Sequence, residues 1–156
     1  MSLIRYYYSE MNHIQRAGGA FYKPLFFDFP NDGPEVYSHQ YRNIMLGNHI
    51  KLGQMSDFGK GTTNYNIYFP KGVWCEIFKK HRTSNCITQE TAGSRIDTQY
   101  PWDYYVSLRE GSIIPIQNND WRNPRFPAKS TRELQNGPIE IHILPNCTHS
   151  LGLCHA

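Results

Sequence analysis

A chain of 156 residues fits one ordinary domain and is long enough to bury a core without the help of a metal. Sixteen Lys and Arg against thirteen Asp and Glu give a formal charge of +3, spread as single residues, and the longest basic run is residues 79–82, KKHR. That is too short and too weak a stripe for nucleic-acid binding, and no apolar stretch approaches the ~20 residues that span a bilayer, so neither class of partner is expected.

In chain order the first pattern is helical. Residues 2–17 place Leu3, Tyr7, Met11 and Ile14 on one stripe while Arg5, Glu10, Asn12 and Arg16 face away, Ser2 offers a cap, and Gly18-Gly19 supply the left-handed residue that ends a helix. The aromatic run 20–30 lacks helical period and reads as a strand, with Pro24 near its start and Pro30 at its end; residues 31–34, NDGP, form a turn. Two short strands are predicted within 41–57, joined at Gly47-Asn48, with Ile50 and Leu52 sharing a face, and residues 57–63 are a loop. Asn64 to Phe69 alternates through Tyr65, Ile67 and Phe69, Pro70-Lys71-Gly72 turns the chain, and Val73 to Phe78 returns, which reads as a hairpin.

Residues 79–99 are polar and read as a long hairpin tip with little core. Tyr104 to Arg109 and Ser112 to Gln117 are strands about Glu110-Gly111, and Ile113, Ile114 and Ile116 on both sides of the pleat predict a central position for the second. Residues 118–129 are a loop and Ile139 to Leu144 the last strand. Short strands at regular spacing after a single helix predict a mainly β fold: an antiparallel β-sandwich preceded by one amphipathic helix.

Four cysteines form two short-range pairs, Cys75 with Cys86 and Cys147 with Cys154, the pattern of two local disulfides in an oxidising compartment. Asn146-Cys147-Thr148 is an acceptor sequon for N-glycosylation, in keeping with secretion. A secretory or lysosomal location is expected, with the leader lying upstream, since Met1 runs straight into the helix. His142, Cys147, His149, Cys154 and His155 could also assemble a zinc site, yet six residues between the cysteines do not match the tight spacing of structural zinc, so the disulfide is the favoured reading and no metal is expected.

Four blocks carry a resemblance. Residues 23–32 (KPLFFDFPND) resemble the "RPLFFEFPDD" stretch that follows the last barrel helix in glycoside hydrolase family 31; residues 40–47 (QYRNIMLG) are similar to its "DQFLLG", residues 68–78 (YFPKGVWCEIF) to its "YLPPGTWYDFW", and residues 108–117 (LREGSIIPIQ) to its "VRGGSIIPLQ". The blocks fall in the family's order and cover the chain from Arg5 to about Leu144, with residues 131–134 fitting a later segment. The resemblance implies that residues 1–19 are the last helix of a (β/α)8 barrel, 20–144 the adjoining β-sandwich and 145–156 a tail. It implies a parent α-glucosidase-like enzyme that hydrolyses α-glycosidic bonds with retention, without metal or organic cofactor. Its partners would be the catalytic barrel, upstream in the same chain or in a separate one, and through it a carbohydrate substrate.

The family's nucleophile stretch "WxDMNE" and its later "GD" acid stretch lie upstream of the matched part, so no catalytic residue is expected and the chain alone should be inactive. Whether it is a truncated gene model, a processed product or the piece of a split gene stays open. Glu10-Met11-Asn12 echoes the nucleophile motif but lacks its Trp, carries Glu for Asp and sits in mid-helix. Retaining glycosidases need two carboxyls roughly 5–5.5 Å apart. Asp28 and Asp32 lie close in sequence, and an Asx turn with a solvated edge accounts for them. A second function, a stand-alone carbohydrate-binding or interaction module, would use surface aromatics, chiefly Tyr37, Trp102, Tyr104, Tyr105 and Trp121.

Overall fold

The computed structural model describes residues 3–38, 42–54, 65–77, 86–97, 104–117, 132 and 137–146. Helix α1 (Ile4–Ala17) opens the chain, and β1 (Tyr22–Pro24), two single-turn helices, α2 (Leu25–Asp28) and α3 (Glu35–Ser38), and β2 (Asn43–Leu46) follow. Then come β3 (Ile50–Gln54), β4 (Tyr65–Phe69), β5 (Gly72–Glu76), β6 (Cys86–Gln89), β7 (Gly93–Asp97), β8 (Tyr104–Arg109), β9 (Ser112–Gln117) and β10 (Ile139–Leu144). No helix among the described residues is long and apolar enough to cross a membrane. By compactness the chain divides into two units, Met1–Gly19 with Ile113–Ile143, and Ala20–Ser112 with Leu144–Ala156.

The larger unit is the sandwich. One sheet runs β1-β2-β3-β8-β5-β6, antiparallel at each pair, and a second is the antiparallel pair β4-β7. Its core joins Leu25, Phe29, Val36 and Met45 to Ile67, Tyr68 and Phe69 of β4 and to Trp74, Ile87 and Tyr105 of the large sheet. Trp74, fully buried, sits between Phe29 (6.1 Å) and Phe69 (6.4 Å), and its indole N–H donates to the Pro70 carbonyl at 2.9 Å, which satisfies the one polar atom it carries inside. Phe69 meets Tyr105 edge-on at 5.6 Å. At Gly53 of β3 a Cβ would stand 2.8 Å from the Ile67 side chain of β4, so a larger residue there requires Ile67 to shift.

Several sequence expectations change. The stretch 20–30 is strand only at β1, and Leu25–Asp28 turns helically so that Leu25 and Phe29 enter the core. Residues 64–78 are not a hairpin: β4 pairs with β7 and β5 with β6 and β8, so Pro70-Lys71 carries the chain from one sheet to the other. Three successive buried residues, Ile67, Tyr68 and Phe69, are the reason, because a strand covered on both sides belongs between layers. The polar run 79–99 holds β6 and β7, and Ile87 of β6 is buried. The central strand is β8, between β3 and β5, whereas β9 lies in a two-stranded sheet with β10 and leaves Ile113 exposed. The loops expected at 57–63 and 118–129, and the cap at Ser2, lie outside the described residues.

In the smaller unit α1 ends where expected, with Gly18 at φ 80° and its N–H on the Ile14 carbonyl at 2.8 Å. Its buried face is another matter. Tyr6 and Glu10, one turn apart, are the buried residues of α1, while Met11 is exposed, so the stripe of Leu3, Tyr7, Met11 and Ile14 is not the inward face and Glu10 does not look outward. Arg5 donates from Nε to the Gln117 side-chain carbonyl at 2.8 Å, and Gln117 donates from Nε2 to the Pro138 carbonyl at 2.9 Å, so one buried amide ties α1, β9 and the approach to β10.

Candidate functional site

The antiparallel register builds a feature that alternation alone does not announce. Lys23 of β1 stands opposite Met45 of β2, Met45 opposite Lys51 of β3, Lys51 opposite Ser107 of β8, and Ser107 opposite Glu76 of β5. Directly opposed residues share a face, so these five side chains form one row across five strands, and all five are buried. Met45 places that row on the core face.

At one end of the row Lys23 donates at 2.8 Å to both Asp28 and Asn48, so its charge is neutralised by a carboxylate of α2. In the middle Lys51 is fully buried, donates to the Asn43 side-chain carbonyl at 2.8 Å and lies 4.3 Å above the Phe69 ring. Burial disfavours its ammonium and pulls its pKa down to about 7, so the amine is half neutral near neutral pH. The Ser107 hydroxyl beside it has no hydrogen-bond partner among the described residues. A lysine flanked by Ile50 and Leu52 reads in sequence as the solvent side of a half-buried strand; the missing signal is that Ile50 is fully buried too, so both faces of β3 are covered.

A second group gathers around β4. The Tyr68 hydroxyl donates to the Asp32 carbonyl at 3.2 Å, and burial, with the nearby Asp32 and Glu35 charges, pushes its pKa up to about 12. Burial also raises the Asp32 carboxyl above the ordinary range, opposed by the Arg109 guanidinium, which itself lies 4.8 Å from the Phe29 ring. The Asp28 carboxylate is held by Lys23, whereas Asp32 meets Tyr68 of β4 through its backbone carbonyl, so the two acids serve different local structures. Glu10 is buried on α1.

Of the aromatics, Tyr105 is core and Tyr37 is half exposed, stacked on Phe26 at 5.3 Å with 14° between planes, next to the exposed Phe27. Trp102 and Trp121, and the Tyr104 side chain, lie outside the described residues. Cys75 and Cys86 are directly opposed in the β5-β6 ladder and joined as a disulfide; Cys147 and Cys154 lie outside the described residues, as do His149 and His155. Among the described residues no group of three or more His, Cys, Asp or Glu is placed to hold a metal ion. Asn146 is exposed just beyond β10.

A β-sandwich of antiparallel sheets, stapled between strands and preceded by a helix, is the class of module that the fold defines. The comparisons specify which. Residues 18–114 match the model of the glycosyl hydrolase family 31 C-terminal domain, and the chain belongs to that family as a C-terminal segment. It is 26% identical over 155 residues to lysosomal alpha-glucosidase of Mus musculus, covering 91% of this chain and 15% of that protein. It is 30% identical over 122 residues to isomaltosyltransferase of Sporosarcina globispora, covering 76% and 10%. Among solved structures, the glucosidase II alpha subunit superposes with a TM-score of 0.73 at 16% identity, over 93% of this chain and 14% of that one. The dextranase of Flavobacterium johnsoniae gives 0.66 at 17%, over 94% and 16%. At such identities the superpositions speak for the fold, and the chain spans about 15% of the length of the glucosidases it matches.

Proposed function

We propose that this chain is the structural end of an α-glucosidase-like enzyme, in which the sandwich buttresses a catalytic (β/α)8 barrel that hydrolyses α-glycosidic bonds with retention. The observation that carries it is the family match across the sandwich, with a helix directly before it. In this reading residues 1–19 close the barrel, 20–144 are the sandwich segment and 145–156 a tail. Exposed apolar residues of α1, Tyr8 and Met11, suit a helix awaiting neighbours of the same barrel. Carbohydrate reaches the assembly through the barrel, and the nucleophile and acid reside there.

The test mixes the purified chain with a family 31 barrel prepared without its C-terminal domain and follows an α-glucoside chromogen. The chain alone is expected to give no turnover, and the mixture to recover activity that the barrel alone lacks. Turnover by the chain alone that survives Glu10→Gln sinks the proposal. A second reading, a carbohydrate-binding module, draws support from the Tyr37–Phe26 stack beside exposed Phe27; saturable heat of oligosaccharide binding to the chain alone, lost in Tyr37→Ala, would favour it instead.

The secretory pathway is the proposed location, supported by the Cys75–Cys86 disulfide and by a relative named as lysosomal. A second disulfide, Cys147 with Cys154, and a glycan on Asn146 belong to the same proposal. Expressed through a eukaryotic secretory pathway, the chain should lose apparent mass on endoglycosidase treatment, and Asn146→Gln should migrate with the deglycosylated form. Identical mobility of untreated wild type and N146Q refutes the glycan.

A further inference from the structure

Strand β10, read residue by residue, is Ile139-Glu140-Ile141-His142-Ile143, closed by Leu144, with Pro138 before it and Pro145 after. Ile139, Ile141 and Ile143 are all exposed, and Glu140 and His142 occupy the opposite side, their side chains 3.5 Å apart. Among the described residues β10 belongs to a sheet of two strands, β10-β9, of which it forms one edge. A short, isoleucine-rich edge strand is a template for another strand.

We propose that β10 pairs edge to edge with β10 of a second copy of this chain, antiparallel about a two-fold axis through Ile141. The sequence of the strand is self-complementary in that register. Ile139 meets Ile143 of the second copy, Ile141 meets its own counterpart, and Glu140 meets His142, so apolar residues face apolar ones and an acid faces a base at both symmetry-related positions. Competing registers are worse. A slip that centres on residue 140 or 142 sets Glu140 against Glu140 or His142 against His142, and a slip by one residue sets a charged group against isoleucine on the same face. Proline on either side bounds the ladder, because neither Pro138 nor Pro145 has an N–H to give it. The result is a sheet of four strands with six isoleucines on one face. A contact this short buries much less than the roughly 1,600 Å² of a standard interface, so the dimer is a transient one. The inference is independent of the enzyme reading above.

Sedimentation equilibrium of the full chain over a wide concentration range is the test. Wild type is expected to rise from monomer toward dimer mass as concentration increases. His142→Glu sets a second carboxylate against Glu140 of the other copy, at both symmetry-related positions, and should weaken association about tenfold; the charge-swapped pair Glu140→Lys with His142→Glu should restore it to within a few fold of wild type. These side chains lie on an exposed strand, so circular dichroism and thermal midpoint should stay put in both variants; if H142E alone loses its fold, recovery of both fold and dimer in the swapped pair still decides. Wild type that remains monomeric at every concentration overturns the proposal, as does a dimer indifferent to H142E, or one that the swapped pair fails to restore.

Discussion

Replacing Lys51 with methionine should stabilise the sandwich by on the order of 2 kcal/mol at pH 7, and should flatten its pH dependence. The wild-type amine is wholly inside, with one hydrogen bond to Asn43 and an aromatic face below it. Its pKa falls from 10.5 toward about 7. Between those values the unfolded chain holds a proton that the folded chain has released, so stability climbs as pH rises through the window, by at most about 1.4 kcal/mol per unit. Below the folded value both states carry the proton and this contribution is flat, at its least favourable level.

Met fills nearly the same volume without the charge, which removes the desolvation cost, while the lost hydrogen bond at the Asn43 carbonyl returns about 1–3 kcal/mol of it. The first term is the larger one at neutral pH, hence the sign. The other ionisable groups along the row are Lys23 with Asp28, and Glu76, and Tyr105 lies on the same face of β8; all remain in the variant. Urea unfolding of both proteins from pH 6 to pH 10 reads the outcome: the wild-type curve should slope upward above neutrality and, since it climbs by more than the gap at pH 7, cross the flatter curve of K51M before pH 10. Parallel curves would mean that Lys51 keeps its proton inside the core.

The second large effect is at the staple between β5 and β6. Cys75 and Cys86 are separated by 11 residues and face each other across the ladder, with Cα atoms 4.1 Å apart. Closing a loop of that size removes about 3 kcal/mol worth of freedom from the unfolded chain. Trp74, next to Cys75, and Ile87, next to Cys86, are themselves opposed and belong to the core, so loosening the hairpin reaches the central packing. The double variant Cys75→Ala with Cys86→Ala should melt about 10 °C below wild type. Cys75 is buried, which makes the variant a cleaner probe than a reductant. An unchanged midpoint would show that the β5-β6 ladder holds without the bond.

How far the sequence reached depends on what each segment says locally. The end of α1 was legible because Gly18 adopts a conformation that few other residues tolerate, and β2, β3, β8 and β10 were legible because alternation and turn residues agreed. The pairing of β4 was hidden, since Pro70-Lys71-Gly72 marks a turn without saying whether the chain re-enters the same sheet. Strands β6 and β7 escaped because the stretch that holds them is mostly polar in sequence, with Ile87 and Ala92 among the described residues that reach the core. The same reason hid the buried row: Lys51, Ser107 and Glu76 are polar, and polar residues in a strand point to solvent unless both faces are covered. The family itself was legible in the order of the four matching blocks, and the match over residues 18–114 bears that resemblance out.

The amide of Gln117 has a bearing on the order of assembly. It joins Arg5 across 112 residues of chain, and the smaller unit is built from the two stretches so joined. Contacts that distant close a very large loop before they return any energy, so they form after their local competitors. The sandwich, with its neighbouring strands, should therefore condense first. Helix α1 leaves the ribosome before β9 yet must wait for that strand before the Arg5–Gln117 bond can form, which leaves this helix among the last pieces to be locked in place.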